Sequence, residues 1–545
     1  MKRTILHLTI CAFIAYSYPV FATRYHVNIN NGDDANDGLK WSTAFKNLQT
    51  AIDAAEEKDE IWIAAGIYHP TKKIGNVYGS PNNPTRPTTD RHRSFIIKKN
   101  IALYGGFSRS PSDATTMTSR NWQLYQTILS GDFDENDGDN FENMDENAYH
   151  VVILFDASPS LVMDGFYITG GCSNDIANSY LDGNRYYYAA GGYGGGLYAY
   201  SPVDVSSPTL SNISFYGNFA DYGGGLFIHA YANDASPYMM NVSIVHNKAD
   251  YGLGGGLSIE GSSINAQLHN LNVVGNESYE SGGGIYLISI EDCTPTIVNT
   301  VVSGNYSHTG NGAGVFIRTR SGDAKPTIVN STVCGNKTPK DGGGFVVYTE
   351  GISETNVYNS VFWGNSGNGF DNFYAFGEYG SYNTIEGSFI EGVNNLGETN
   401  LPGNIDPKFL EPVRADLAPT MDGDYQLTLE SPLINKGINT HVLSSIDLLG
   451  NSRTVGGTVD IGAYESQGTP PVFNETVEEE KLIWSSNGFL YVQVDLSAAL
   501  HVYTLDGSLV KHINHLDAGV YQYALPRGFY VVTLSNGISE KVVIR

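Results

Sequence analysis

The hydrophobic positions of this chain alternate in short runs, and the runs recur at a fixed longer interval. Apolar residues separated by one position stand at Leu226 and Ile228, Leu257 and Ile259, Ile285 and Leu287, and Val315 and Ile317. Such alternation predicts strands with one buried face. Each pair follows a glycine cluster: Gly223 to Gly225, Gly254 to Gly256, Gly282 to Gly284, and Gly312-Ala313-Gly314. Gly194 to Gly196 and Gly342 to Gly344 belong to the same series. Polar positions keep step with them. Asn218, Asn247, Asn276, Asn305, Asn336 and Asn365 recur at intervals of 29, 29, 29, 31 and 29 residues. Asn212, Asn241, Asn270, Asn299, Asn330 and Asn359 stand six residues before each of these. Three residues before each member of the first series is an apolar residue: Phe215, Ile244, Val273, Val302, Val333 or Phe362.

A period near 29 with several short strands in each period predicts one solenoid coil per repeat. The fold class is therefore all-β, a right-handed parallel β-helix whose coils stack at about 4.8 Å. A lone Asn in such a core would strand its amide, at roughly 1–3 kcal/mol per unpaired group. Stacked asparagines instead hydrogen-bond to the next coil's Asn and to turn backbone. Both series are read as structural ladders, and the glycines as the bends. Several of these asparagines fall in Asn-x-Ser/Thr triplets, but the ladder already accounts for them. Less regular coils precede the series, with strands at 60–64, 95–97, 101–104 and 151–155. Ser42 to Glu57 reads as a helix, with Ser42 as N-cap and Phe45, Leu48, Ile52 and Ala55 on one face. A solenoid end exposes unpaired strand edges, so this helix is the expected N-terminal cap.

Composition agrees with a solenoid: 62 Gly and 36 Tyr in 545 residues, with 16% charged. The net charge of −26 argues against nucleic acid and against bare anionic lipid, both of which would be repelled. Lys2 and Arg3, an apolar run from Ile5 to Ala15, and Val20-Phe21-Ala22 predict a signal peptide over 1–22. No other stretch is long and apolar enough for a transmembrane helix. Beyond Cys11, the odd set Cys172, Cys293 and Cys334 predicts small buried residues in the stack rather than a disulfide scaffold.

At these residues a family likeness emerges. The Phe-x-x-Asn motifs at 215–218 and 362–365, alternating with Gly-Gly-Gly-Leu and Gly-Gly-Gly-Ile, resemble the repeats of chlamydial polymorphic outer membrane proteins. They also resemble right-handed β-helix proteins of the Bacteroidetes, with a pectin lyase-like fold. The resemblance spans about 24–465. It begins with the Ala-Asn-Asp-Gly, Trp-Ser-Thr-Ala-Phe and Glu-Ile-Trp-Ile-Ala-Ala-Gly-Ile-Tyr blocks of Asn31 to Pro70. It ends in Asp460-Ile461-Gly462-Ala463-Tyr464-Glu465, after Asp424-Tyr425-Gln426-Leu427 and Asp447-Leu448-Leu449-Gly450-Asn451. This chain lacks the chlamydial autotransporter barrel, so that export route does not carry over. Domains are expected at 23–467 for the β-helix, 468–480 for a linker, and 481–545 for a C-terminal β-sandwich. The last is similar to the sorting domain of the Bacteroidetes type IX secretion system. That resemblance implies the secretion machinery as a partner, and an extracellular or outer-membrane location on a Gram-negative bacterium.

The chemistry points to contact more than to turnover. No Ser-His-Asp, P-loop or zinc signature is present. Glu260, Glu291, Asp292, Arg318, Arg320, Asp323 and Glu350 follow the Gly-led strands, where β-helix lyases and hydrolases place acids and bases. Before the glycine clusters, Asp221-Tyr222, Asp250-Tyr251, Tyr279-Glu280 and Lys340-Asp341 predict an acidic and aromatic stripe. Tyrosine offers sugars an apolar face and a hydroxyl. The coils from Asn212 to Asn365 vary little in length, whereas an active site gathers unlike groups on an irregular coil. The expected function is non-enzymatic adhesion or binding of a polysaccharide or cell-surface glycan, with a polysaccharide lyase or glycoside hydrolase as the alternative. The insertion from Cys172 to Ala190 and the stretch from His69 to Arg93 are the irregular regions. A calcium site is expected at Asp132, Asp134 and Asn136, whose oxygens alternate as a hard cation requires.

Overall fold

The computed structural model describes residues 22–74, 77–78, 88–175, 179–182, 185–187, 191–230, 232–394, 396–468, 483–486, 489–494, 497–504, 509–526, 528–535 and 539–544. The expected signal segment, apart from Ala22, lies outside those residues, as do most of the linker and part of the 172–190 insertion.

The alternating runs form strands, and the strands stack in parallel ladders. Leu197–Ser201, Leu226–Ala230, Leu257–Gly261, Ile285–Ser289, Val315–Thr319, Phe345–Thr349 and Phe373–Gly377 are consecutive neighbours in a ten-stranded sheet. Their registers align equivalent repeat positions, such as Leu226 with Leu257 and Leu257 with Ile285. A nineteen-stranded sheet and a five-stranded one complete the coil. The chain is thus mostly β, with long parallel sheets to which successive coils add strands in register: a parallel β-helix. Inward residues of every coil join one continuous buried cluster, including Leu226, Ile228, Leu257, Ile259, Ile285 and Leu287. Each such side chain contributes about 1.5–3 kcal/mol on burial.

The inner asparagine series forms an unbroken amide ladder. The Nδ2 groups of Asn218, Asn247, Asn276, Asn305 and Asn336 donate to the Oδ1 of the next member at 2.8–3.1 Å. Asn372 takes over after Asn365. The third glycine of each cluster lies against this ladder: a Cβ on Gly284 would stand 3.1 Å from the Asn305 amide. The outer series works differently. All six members, Asn212 through Asn359, have φ between 47 and 55°, the left-handed corner that Asn tolerates better than other side chains. Asn241 and Asn270 do reach the preceding Asn at 3.0 Å. Asn299, Asn330 and Asn359 instead bind the carbonyls of Ile446, Asp460 and Ile438.

Those carbonyls belong to the segment 396–468, which lies along the outer face of the later coils. It buries Phe409, Tyr425, Leu433 and Ile461 against Val274, Val301, Cys334 and Val361 of the β-helix. Cys172, Cys293 and Cys334 are all free and buried.

At the N-terminus the helix is shorter than expected. Trp41–Thr43 is a 3-10 turn and the α-helix is Leu48–Ala54, with N-cap Asn47 rather than Ser42. The Asn47 side chain accepts from Gln49 N–H, whereas the Ser42 hydroxyl bonds Asp113. Leu48, Ala51 and Ile52 enter the same core as Val27 and Ile61. Residues 483–544 form a three-stranded and a four-stranded antiparallel sheet. Leu490, Val492, Leu500, Val502 and Val532 lie in one buried cluster between them.

Candidate functional site

The seven strands of the ten-stranded sheet from Leu197–Ser201 to Phe373–Gly377 each turn two residues outward, and stacking makes these into two columns. One reads Tyr198, Phe227, Ser258, Tyr286, Phe316, Val346, Tyr374; the other reads Tyr200, His229, Glu260, Ile288, Arg318, Tyr348, Phe376. Outside the main core, these residues form two separate apolar clusters. Tyr198, Tyr200 and Phe227 belong to one, and Tyr286, Ile288, Phe316 and Val346 to the other. The coil carrying Ser258 and Glu260 separates them. A small hydroxyl there replaces a large side chain, and the gap opens a groove of about 430 Å³.

The groove has aromatic walls and charged ends. Tyr222 stacks on Tyr193, with ring centres 5.2 Å apart, and presents its edge to Tyr251 at 6.2 Å. Tyr222 also lies over Gly252, where a Cβ would fall 2.1 Å from its ring. Across the groove Tyr286 and Phe316 stack 5.7 Å apart, tilted by only 5°. Glu260, Glu280, Arg318 and Arg320 also line it. Burial raises the carboxyl pKa of Glu260, and the charge of Arg320 opposes that rise. The Nε of Arg318 is buried without a hydrogen-bond partner, and its guanidinium lies 5.9 Å from the ring centre of Tyr348.

The stripe read from the sequence is only partly assembled here. Tyr222 and Glu280 line the groove, and Tyr251 touches Tyr222 from its exposed position. Asp221 sits beside them, half-buried, with its Oδ2 unpartnered among the described residues. Burial, then the charges of Asp250 and Asp175, push its carboxyl up to about 6. Asp250 faces solvent and pairs with Lys248 at 3.1 Å. Tyr279 is displaced by one position. Its N–H bonds Ala249 O, as that of Asp250 bonds Ala220 O, so Tyr279 continues the aspartate column and not the tyrosine one. It stacks on His308, 6.5 Å away. The signal was in the spacing from the ladder: Tyr279 follows Asn276 by three residues, as Asp221 and Asp250 follow Asn218 and Asn247. Ser258 was also missed, since a serine in an apolar column is visible only once the register is known.

The loop expected to hold calcium gathers a different set of oxygens. Asp132 turns inward to accept the N–H groups of Asn136 and Asp137. That fold leaves Asp134 and Asn136 exposed and carries Asp137 onto the Asn147 amide at 2.9 Å. The carboxylates that meet are Asp132, Asp137 and Glu146, with oxygens within 4.8 Å of one another. Burial of its carboxyl end, and the charges of Asp132 and Glu146, push Asp137 up to about 7.

No family model and no curated protein matches this chain. Among solved structures, a crystal structure of pectate lyase Pel9A is similar at 13% identity, over 82% of this chain and 97% of that chain, with a TM-score of 0.35. A likeness at that level assigns no activity, and the β-helix stands on its own strand registers.

Proposed function

We propose that this chain is an exported surface protein whose β-helix binds a glycan in the groove over Ser258. The observation that carries this reading is the break in the outer apolar face, which places aromatic rings and charged hydrogen-bonding groups around one cavity. Sugars ask for that combination: an apolar ring face to stack on, and fixed donors and acceptors for hydroxyls. Binding is favoured over turnover because the groove sits on regular coils. The competing reading, a polysaccharide lyase or glycoside hydrolase, draws on the raised carboxyl of Glu260 beside Arg320. A glycan array with the mature chain, run beside reducing-end and unsaturated-product assays, separates the two. Saturable binding without turnover, lost in Tyr222→Ala, is the expected result. Turnover abolished by Glu260→Gln would replace the binding reading with the enzymatic one.

The remaining parts fit a secreted architecture. The helix Leu48–Ala54 serves as the N-terminal cap, a role supported by its burial in the first coils. Residues 481–545 serve as a β-sandwich sorting domain that engages the secretion machinery, a role supported by two antiparallel sheets around a common core. Cell fractionation tests this: deleting 481–545 should trap the β-helix in the periplasm, and surface display of the truncated chain would refute it.

A further inference from the structure

We propose that the groove over Ser258 reads an anionic substituent, a carboxylate or a sulfate ester, on a linear polysaccharide that runs along the coil stack. This rests on the glycan-binding reading and adds to it the class of ligand and its direction. Two cations at the groove form no ion pair among the described residues. Among the described residues, Arg24, Arg93, Arg120 and Arg414 each form an ion pair with a carboxylate, Arg91 donates to the Asn147 and Cys172 carbonyls and the Asn174 amide oxygen, and Arg109 stands alone without an ion pair outside the groove. Arg453 is buried among three acids. Arg318 and Arg320 are in no ion pair among the described residues, although Glu260 and Glu280 line the same groove. The Arg318 Nε is also buried without an acceptor. In a chain with a net charge of −26, acids to neutralise arginines are plentiful, so two guanidinium groups left open at one cavity mark a place for an external anion. A guanidinium fork matches the paired oxygens of a carboxylate or a sulfate.

The direction follows from the columns. From Tyr222 and Phe227 the outward positions continue through Ser258, Ile288, Arg318 and Tyr348 to Phe376, one coil at a time. Six successive coils at about 4.8 Å each give a track of about 24 Å. That coil spacing is close to the length of one sugar residue in an extended chain, so successive residues meet successive coils. Accessible rings lie at the two ends of the track. Half-buried Tyr222 stands at one, and exposed Tyr348 stacks on exposed Phe376 at the other with centres 5.4 Å apart. Between them the floor is buried: Phe227 on one side of Ser258, and the parallel pair Tyr286 and Phe316 on the other. The strongly negative field of the whole protein repels a densely charged polyanion. The ligand is therefore sparsely charged, with an acidic residue seated at Arg318 and Arg320 and neutral residues over the rings.

The test is calorimetric binding of the mature chain to oligosaccharides of one backbone, in neutral, carboxylated and sulfated forms, from about two to about eight residues long. The anionic forms should bind roughly tenfold or more tightly than the neutral form, the scale of charge-assisted hydrogen bonds. Affinity should climb with length to about six residues, the number of coils in the track. Comparison of the two anionic arms identifies the substituent. Arg320→Gln, at an exposed position, and Arg318→Gln should remove the anionic preference by weakening the anionic chains far more than the neutral one, with the melting temperature unchanged. Arg318→Lys should restore part of that preference. Equal affinity for neutral and anionic chains would overturn this inference and leave the glycan-binding reading standing. So would affinity that stops rising at two residues. Failure of every oligosaccharide to bind would overturn both.

Discussion

Asn276 donates twice to one atom: its backbone N–H and its Nδ2 lie 2.9 and 3.0 Å from Oδ1 of Asn305. Its Nδ2 also reaches Ile244 O at 2.8 Å, and its own Oδ1 accepts the same pair of bonds from Asn247. Each rung therefore satisfies its neighbours' backbone as well as their amides, in a place water does not reach. Asn276→Ala strands the Asn247 N–H and the Ile244 carbonyl and opens a cavity. The expected loss is about 3–5 kcal/mol, read as a lower urea midpoint at unchanged slope. Asn241 has a different task. It is exposed and holds φ at +55°, so Asn241→Gly should shift stability by less than about 0.5 kcal/mol, because glycine adopts that corner without strain. Equal costs at the two sites would contradict the division of labour between the series.

His246 occupies the position that is glycine in the neighbouring coils, as at Gly217, Gly275 and Gly304, and it keeps their left-handed backbone at φ +54°. Its ring stacks on Phe141, with centres 4.8 Å apart. His246→Gly relieves about 1 kcal/mol of backbone strain and forfeits an aromatic contact of similar size. Global stability should barely change. The 139–143 loop, having lost its anchor, should be cleaved faster in limited proteolysis. Unchanged cleavage would mean that the stack does not hold the loop.

Several carboxyls have folded-state values above their ordinary ones, among them Asp137 at about 7, Asp221 at about 6 and Glu465 at about 7. In each, burial is the main cause. A raised folded value means that the folded state holds the proton more tightly than the unfolded chain does. The resulting stabilisation is fully present below about pH 4 and is lost as pH rises through 6 to 7. The protein should melt at a higher temperature near pH 5 than near pH 8, and the growing net negative charge acts in the same direction. Asp137→Asn keeps an acceptor for the Asn147 amide and removes one titrating group, so its melting temperature should depend less steeply on pH across that window. A steeper dependence would reverse the sign assigned to Asp137.

The sequence makes the coil legible because the coil is local: period, strand alternation and bend glycines all lie within about thirty residues of one another. The inner ladder could be read from spacing alone. Of the outer asparagines, Asn212, Asn241 and Asn270 do form the expected ladder, but the αL corner that all six hold was not legible, since it leaves the same mark, a recurring Asn. The groove was hidden for another reason. It depends on which outward residues become neighbours across coils, as where Ser258 falls between Phe227 and Tyr286. Likewise, nothing in the local pattern showed that Asp132 would fold onto its own loop and exchange Asp134 for Asp137 and Glu146.

The segment 396–468 seals the outer face of the later coils, and Arg453 is its keystone. Arg453, Asp447, Asp460 and Glu465 are all buried. The acids spend their oxygens on backbone N–H groups. Asp447 takes Leu449, Asn451 and Glu465; Asp460 takes Asn435 and Ser466; Glu465 takes Val455 and Asp460. Arg453 bonds the Gly462 carbonyl and supplies the positive charge that lets three carboxylates share this interior. Arg453→Met keeps the side-chain volume but leaves the acids without a cation, at a cost of about 3–5 kcal/mol. The acids also fix the turn that presents Gly462 and Ala463, whose N–H groups bond Asn359 O and Thr332 Oγ1, so the segment should lift from the sheet. Cys334 reports the event. It is fully buried beneath the segment, and burial holds its thiol well above the ordinary range. In the native protein it should resist alkylation by iodoacetamide. In Arg453→Met it should be alkylated while Cys293, inside the coil stack, stays protected. Modification of both cysteines together would mean that the coils themselves had opened, and protection of both would mean that the segment is held by its apolar contacts alone.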